Sequence, residues 1–580
     1  MKSISGKIIK IVSGLTLIGA VSVSIYSCSS RDGSPGDVNT ATATLKFNIV
    51  GIDGGGGVVA NASINGKGNA QESFTSIAKE NTVGLKDFDV LTSIEKVNNG
   101  SGVQASASVK NGVIAASQPM TAGVKYLILI YNAGTTTNPV VSQVATAGTN
   151  PSVSVPSGSY DWYVVSTNDG TSPSVNASGI VSATSIANKD VLYAKSSAPV
   201  TVQSGQNDLA VVFHRNTARI DVNVDARGLF GKIGTTTTVE LGTGTGASFS
   251  SIVQTGDLNI FDGTYSNKVA TPAIVSGSNM VNTVGAQGDL GATKTASFYT
   301  VNTDANAIPA NISVRLATLG ITMDDTTTRT FTGAIVPYTS AAVTPVIGSQ
   351  YLVNATMVES GLSVAGTVWG RTNLQYLSSA ADKYRFLPTN DIFINQALNL
   401  LDLIQLGNGI NNQITNLYWN WNSITPTGTA GSGDPCGQVY PVGMWKTPTQ
   451  AQLNSLGTVS TDGLDLVAPL VGPSFFGAKW TAPSPVNSAF PAHSQQLFMP
   501  MYGYRNVAGT NILDTPSALV PLVSASVTSN YWSSSGTASN AIRHFRSLTT
   551  ILTIVSLDTG YSTSAITASN TGMSLRCVRS

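Results

Sequence analysis

Three cysteines and three histidines are the side chains best able to do chemistry in this 580-residue chain. None of His214, His493 and His544 stands at metal-ligand spacing from another histidine or from Cys28, Cys436 or Cys577, so no metal and no cofactor is expected. His214, in FHRNTARIDV at the entrance to a strand, reads as a structural or solvent-facing residue. Serine is abundant, but no G-x-S-x-G elbow stands between a strand and a helix. DGGGG at 53–57 is too isolated to cradle a phosphate and reads as a flexible loop. Trp419 and Trp421 in LYWNWNS, and Trp532 in NYWSSS, could contact a ligand or pack in a core, and packing is the expected outcome. No catalytic residue is assigned, and the chain is expected not to be an enzyme.

The cysteines are more informative. MKSISGKIIK carries three lysines and is followed by the apolar run IVSGLTLIGAVSVSIYS, which reads as a signal peptide over residues 1–27. A spanning helix is the alternative, but residues 11–27 are at the short edge of the roughly 17–25 that a bilayer requires. Ile25-Tyr26-Ser27-Cys28 resembles a bacterial lipobox, which makes Cys28 the candidate lipidation site; an ordinary signal peptide with an incidental cysteine is the other reading. If lipid consumes Cys28, then Cys436 and Cys577 remain, either as a disulfide or as two buried free thiols. A bridge would close a long loop and stabilise by at most about 5 kcal/mol in the chain-entropy account.

These residues need a frame, and the frame is strands. Charged residues make up 11 % of the chain and hydrophobic ones 42 %, with Ser, Thr, Asn and Gly prominent in the rest, the balance of a β-rich extracellular protein. Lys plus Arg at 31 nearly cancels Asp plus Glu at 30, so no global field draws in nucleic acid, which is not an expected partner. Polar, turn-rich residues 28–43 suit a flexible tether. From Thr44 onward TLKFNIVGI, VKYLILIYNAG, GSYDWYVVSTN, ARIDVNVDA, ANISVRLA and QYLVNATMV are short β-branched and aromatic runs bounded by turn residues. In ARIDVNVDA the alternation predicts a buried face of Ile220, Val222 and Val224 and a wet face of Arg219, Asp221, Asn223 and Asp225. Beyond Ser363 helical spacing takes over at Ile392, Leu398, Leu401 and Ile404, and Thr447-Pro448 with Gln450 predicts a capped helix ending at Gly457.

Taken in order, YLILIYNAG, SGSYDWYVVSTN, VVFHRNTARIDVNV and IGSQYLVNATM resemble the fimbrillin-like family, lipoprotein-derived subunits of type V pili on Bacteroidetes-type cells. That resemblance implies two β-sandwich lobes, at 44–205 and 206–360. Over 361–580, WGRTNLQY, DPCGQVYPVGMWKTPTQAQLNSLG, SNYWSSSGTASNAIRHF and GMSLRCVRS resemble the Fibrobacter major paralogous domain, a C-type-lectin-like surface module related in fold to formylglycine-generating enzymes. In such a module the two chain ends meet in one sheet, which makes Cys436 to Cys577 an expected bridge. Relatives that do chemistry use a reactive cysteine pair, whereas the pair here looks structural. Neither the Glu-Pro-Asn-like nor the Trp-Asn-Asp-like motif of calcium-dependent lectins is found. Residues 392–406 and 411–430 do not align with the module. The expected fold is therefore mainly β: two tandem β-sandwich fimbrillin-like lobes followed by an α+β C-type-lectin-like domain.

In the fimbrillin-like family a protease cuts after a basic residue near the mature N-terminus, the first strand leaves, and a neighbour's C-terminal strand fills the groove. Main-chain hydrogen bonds and alternate buried side chains supply the affinity. Carried to this sequence, the candidate maturation residues are Arg31, whose cleavage would release the lipid and little else, and Lys46, which lies inside the expected first strand. GMSLRCVRS, paired in its own domain and pinned by Cys577, is poorly placed to be lent. The expectation is a non-enzymatic cell-surface fimbrial component, a tip or adhesin subunit that accepts a donor strand from other pilus subunits. It would display the lectin-like domain to a glycan or protein ligand on host or neighbouring cells. The alternatives are a pilus anchor lipoprotein held in the outer membrane, and a stand-alone outer-membrane lipoprotein binding glycan or protein.

Overall fold

Strands dominate the computed structural model, which describes residues 42–53, 73–98, 118–283, 291–323, 328–380, 382–387, 415–457, 477–481, 496–500, 503–512, 525–551, 554–556 and 562–580. The first twelve are β1 (Thr42–Ile52), β2 (Ser73–Gly84), β3 (Asp89–Asn98), β4 (Lys125–Asn132), β5 (Val141–Thr146), β6 (Ser152–Pro156), β7 (Gly158–Ser166), β8 (Ile180–Val181), β9 (Leu192–Lys195), β10 (Val200–Val202), β11 (Gly205–Arg215) and β12 (Ala218–Gly228). Eight of them form the first sheet, in the order β5-β4-β7-β9-β11-β1-β6 with β10 on β7. Its inner face is built by alternate residues, among them Phe47, Ile128, Ile130, Trp162, Val211 and Phe213. β4 is apolar on both faces because both are covered: Leu127, Leu129 and Tyr131 point away from that core and pack on Val181 and Leu258 of a three-stranded sheet and on Ile260 in the turn that follows Leu258.

The second sheet centres on β12, which lies antiparallel to Thr293–Thr300 and parallel to Gln350–Val358. Gln350–Val358 pairs in turn with β3, and β3 with β2. The hairpin β2–β3 therefore falls inside 44–205 in sequence yet belongs to the sheet of β12. Its Phe88, Val90 and Ile94 are apolar at alternating positions and fill the core shared with Ile220, Val222 and Val224. A division at 205/206 follows the chain but not the sheets.

The polar face of ARIDVNVDA differs from the wet surface its alternation predicts. Arg219, Asp221 and Asp225 are buried. Arg219 Nε donates to Asp221 Oδ1 at 2.8 Å, and Gln350 Nε2 and Ser297 Oγ donate to the two Asp221 oxygens at 2.6 and 2.7 Å. Period-2 alternation reports which face is polar, and a polar face can be covered once its groups are satisfied by one another.

The described residues of 362–580 form a third body. Leu362–Val364, Thr367–Trp369, Val578–Arg579 and Trp445–Lys446 share a four-stranded sheet, so segments more than two hundred residues apart are neighbours. The only α-helix among the described residues is Gln450–Ser455, capped two positions later than Thr447. Thr449 accepts from the Gln452 backbone while the Gln452 side chain reaches back to the Thr449 N–H, at 3.2 and 2.8 Å. Thr447 instead binds Asp434, its N–H and hydroxyl donating to the two carboxylate oxygens at 2.9 and 2.7 Å. The expected helix across 392–404 lies outside the described residues. Among the described residues no helix is long and apolar enough to cross a membrane.

Candidate functional site: the seat of the first strand

β1 has a backbone partner on each side. It runs parallel to β11 from Ala43 opposite Gly205 to Ile52 opposite Phe213, and antiparallel to β6 from Thr42 opposite Pro156 to Lys46 opposite Ser152. Ala43, Leu45 and Phe47 point inward and are buried, while Thr44, Lys46 and Asn48 face the other way and are half-buried. The Phe47 ring meets Trp162 edge-on, with centroids 6.2 Å apart. Beyond the reach of β6, Gln118 takes over: Ile52 N–H donates to the Gln118 carbonyl at 2.7 Å, and the Ile52 carbonyl accepts from Gln118 N–H at 2.8 Å. Asp53 N–H donates to Phe213 O at 2.8 Å. Without β1, a slot one strand wide would separate β6 from β11, floored by Val153, Val155, Leu209 and Val211.

Just past the strand, the Asp53 carboxylate is hydrogen bonded to His214 Nδ1, which projects from β11. Both side chains are about half exposed, at 43 % and 50 %. The hydrogen bond to Asp53 outweighs partial burial and holds the imidazole pKa above its ordinary 6.5. Neither DGGGG nor the FHRNTARIDV stretch announces this contact. A signal existed in principle, since a parallel register carrying Ile52 to Phe213 brings the next residues, Asp53 and His214, side by side.

Residues 572–580 are held in another manner. Cys577 is disulfide-bonded to Cys436, with Cα atoms 5.6 Å apart across a sequence separation of 141 residues. Both cysteines are fully buried, in a cluster with Trp419, Trp421, Trp445 and Trp532. Arg576 has no exposed surface and donates to the carbonyls of Gly370 and Phe498. Arg579 reaches out of its own module: one guanidinium nitrogen donates to Asp89 Oδ2 on β3 and to Glu359 O, both at 2.6 Å. Burial raises the Asp89 pKa above its ordinary 3.8, an effect that Arg579 opposes without cancelling. A second contact joins the same two bodies, where Arg227 lies 4.0 Å over the Tyr440 ring and Tyr440 Oη donates to Asp225 Oδ2 at 2.7 Å.

The remaining sequence-derived sites resolve as follows. Trp419, Trp421 and Trp532 pack in the core, and their indole N–H groups donate to the carbonyls of Leu374, Ser533 and Trp419. None offers a face to a ligand, because an indole fits the interior once its single donor is satisfied. Lys46 sits within the two-sided ladder of β1, where a protease finds no extended loop to bind. Cys28 and Arg31 lie outside the described residues. No three His, Cys, Asp or Glu side chains converge as a metal site would require among the described residues.

The architecture around this seat is that of packed β-sheets, and the comparisons with known proteins speak to its class. Residues 159–369 match the fimbrillin-like family. That span runs from β7 through β11, one wall of the β1 slot, and on through β12 to Trp369. No curated protein matches the chain. Solved structures with local similarity include a candidate cell adhesion protein from Bacteroides fragilis, 13 % identical over 45 % of this chain and 94 % of that one, at a TM-score of 0.28. Another candidate cell adhesion protein, from Bacteroides uniformis, is 14 % identical over 41 % of this chain and 92 % of its own, at a TM-score of 0.24. The tip fimbrial protein Mfa3 from Porphyromonas gingivalis, with a C-terminal truncation, is 10 % identical over 41 % and 94 %, at a TM-score of 0.19.

Proposed function

We propose that this protein is a non-enzymatic fimbrial adhesin subunit at the cell surface, which receives a neighbour's extended strand in the slot of β1 and displays the module 361–580. The observation that carries this reading is the seat of β1. A strand with partners on both sides, inward side chains at alternate positions and no covalent cross-link is held by interactions that any suitably patterned strand can reproduce. The fimbrillin-like match over 159–369 supports it, since the resemblance to that family implies assembly by exchange of the first strand. The anchoring of 572–580 by Cys577 and Arg576 within its module and by Arg579 to β3 fits a tip position, because a segment so held is not free to be lent. We read that module as lectin-like and its ligand as a glycan or a protein. Cys28 and Arg31 belong to maturation in this reading: lipid holds the precursor and cleavage frees it.

The test uses the full chain with a specific protease site placed between β1 and β2. After cleavage, a fluorescent peptide of sequence 42–53 should displace the resident strand and co-elute with the protein. A peptide with Leu45 and Phe47 replaced by serine should not bind. The reading fails if neither peptide enters.

A further inference from the structure

The exit of β1 is where the strand has the fewest alternatives. At its start, β6 and β11 hold it in continuous ladders; at its end β6 no longer reaches it, and Gln118 on one side, β11 on the other and the Asp53 carboxylate hold it. Beyond Ile49 the ladder to β11 is also irregular, slipping by one residue before Gly51 resumes it opposite Val212. The β6 ladder ends at Lys46 and the β11 ladder is bulged after Ile49, so a contact placed at this end bears on the less regularly paired half of the strand. The side chain that meets β1 at this point is His214, a residue whose charge changes near neutral pH.

We propose that Asp53 and His214 form a proton-operated latch on β1, closed when the imidazole is charged and loosened when it is neutral. The inference rests on reading β1 as the exchangeable strand only for its purpose, not for its chemistry. Two titratable groups face the imidazole from the elements packed against it. One is Asp53, following β1; the other is Tyr193, its antiparallel partner on β9. The Tyr193 phenol is already committed to the Ile260 carbonyl, and burial drives its pKa far above neutrality, so it stays uncharged. Arg215, the next residue on β11, points to the other face and pairs with buried Asp190. The imidazole thus has one ionic partner, and that partner belongs to the segment that leaves.

The direction follows from linkage. A histidine whose pKa is higher in the folded state than in the open state contributes its full stabilisation below the open-state value, about 6.5, and loses it as pH rises through the folded value. The strand is held more tightly on the mildly acidic side of neutrality and released more readily on the alkaline side. For a half-exposed ion pair the effect on the opening equilibrium is modest, up to about fivefold.

Hydrogen–deuterium exchange of the intact full chain tests the latch directly. Protection of the 48–53 amides, corrected for the intrinsic pH dependence of exchange, should fall up to about fivefold between pH 6 and pH 8.5. Amides of β12 should not change. Asp53→Asn and His214→Gln should each erase the difference, and His214→Arg should keep the high protection at both pH values. A pH-independent 48–53 segment in the wild type, or an unchanged pH response in His214→Gln, overturns the proposal. Peptide displacement after cleavage reports separately on strand exchange: a peptide that enters a slot with pH-independent protection leaves the exchange reading intact and sinks the latch alone. A pH-dependent segment whose slot refuses the peptide does the reverse.

Discussion

β1 and residues 572–580 are both extended segments inserted into a finished body, and they are held by opposite strategies. β1 is attached by repetition: two ladders and three inward side chains at every second position, with the side-chain contact of Asp53 to His214 just past its end. Residues 572–580 enter a ladder only at Val578–Arg579 and are otherwise fixed by particular groups. A disulfide, a fully buried arginine, single exchanges of backbone hydrogen bonds with Trp419, Arg505 and Asn530, and an arginine that crosses to β3 hold them. Repetitive attachment is strong but indifferent to who supplies the strand. Particular attachment is indifferent to nothing, and no other sequence could replace this one in place.

The largest expected effect tests the pinned segment. Replacing both cysteines by serine removes a bridge across 141 residues, worth about 5 kcal/mol in the chain-entropy account. Calorimetry should show the transition of the C-terminal module falling while that of the first sheet stays in place; a uniform fall of both would mean that the two regions are not separately held. Next comes the inward face of β1. Phe47→Ala empties the space under Trp162 and should cost about 3–5 kcal/mol, read by chemical denaturation, whereas Lys46→Thr on the outward face should stay within about 0.5 kcal/mol. If Lys46→Thr matched Phe47→Ala, β1 would be held by particular contacts after all and the contrast would collapse.

Much of this contrast was legible in the chain itself, and where it was not, the reason is physical. Alternation in TLKFNIVGI marks Leu45 and Phe47 as one face, and the β-branched runs mark the sheets, because burial on one side imposes period two on any strand. The same alternation says nothing about which sheet a strand joins, so the crossing of β2–β3 to β12 was invisible: Val90 and Ile94 would suit either core. It is equally silent on whether a polar face meets water, and Asp221 and Asp225 turned out buried among arginine, glutamine, serine and tyrosine partners. Two threonines flank Pro448 and both are followed three residues on by a glutamine, Gln450 and Gln452, so the capping-box pattern cannot choose Thr449 over Thr447. Tryptophans in polar company such as LYWNWNS suggest ligand platforms, yet each indole donor finds a carbonyl inside.

The smallest effects lie at the junction, where Arg579 leaves its module to meet Asp89. Because burial raises the Asp89 pKa, the folded state binds its proton more readily than the unfolded chain does. Stability from this group is therefore greatest at acid pH and declines as pH rises from about 3.8 through the raised value, the reverse of an ordinary salt-bridged carboxylate. Arg579→Ala removes the cation that offsets this cost and should destabilise by about 1.5–3 kcal/mol at pH 7. Its penalty should shrink at pH 3, below even the ordinary 3.8, where a protonated Asp89 needs no counter-charge. Asp89→Asn keeps an acceptor for Arg579 and discards the buried charge, so at pH 7 it should lie within about 1 kcal/mol of wild type, with a flatter stability profile on the acid side. A double-mutant cycle on Asp89 and Arg579 at pH 7 and pH 3 separates the cases: coupling that vanishes at pH 3 assigns the junction to charge. Coupling that persists there assigns it to the packing of Arg579 against Trp445, whose ring lies 4.9 Å from the guanidinium.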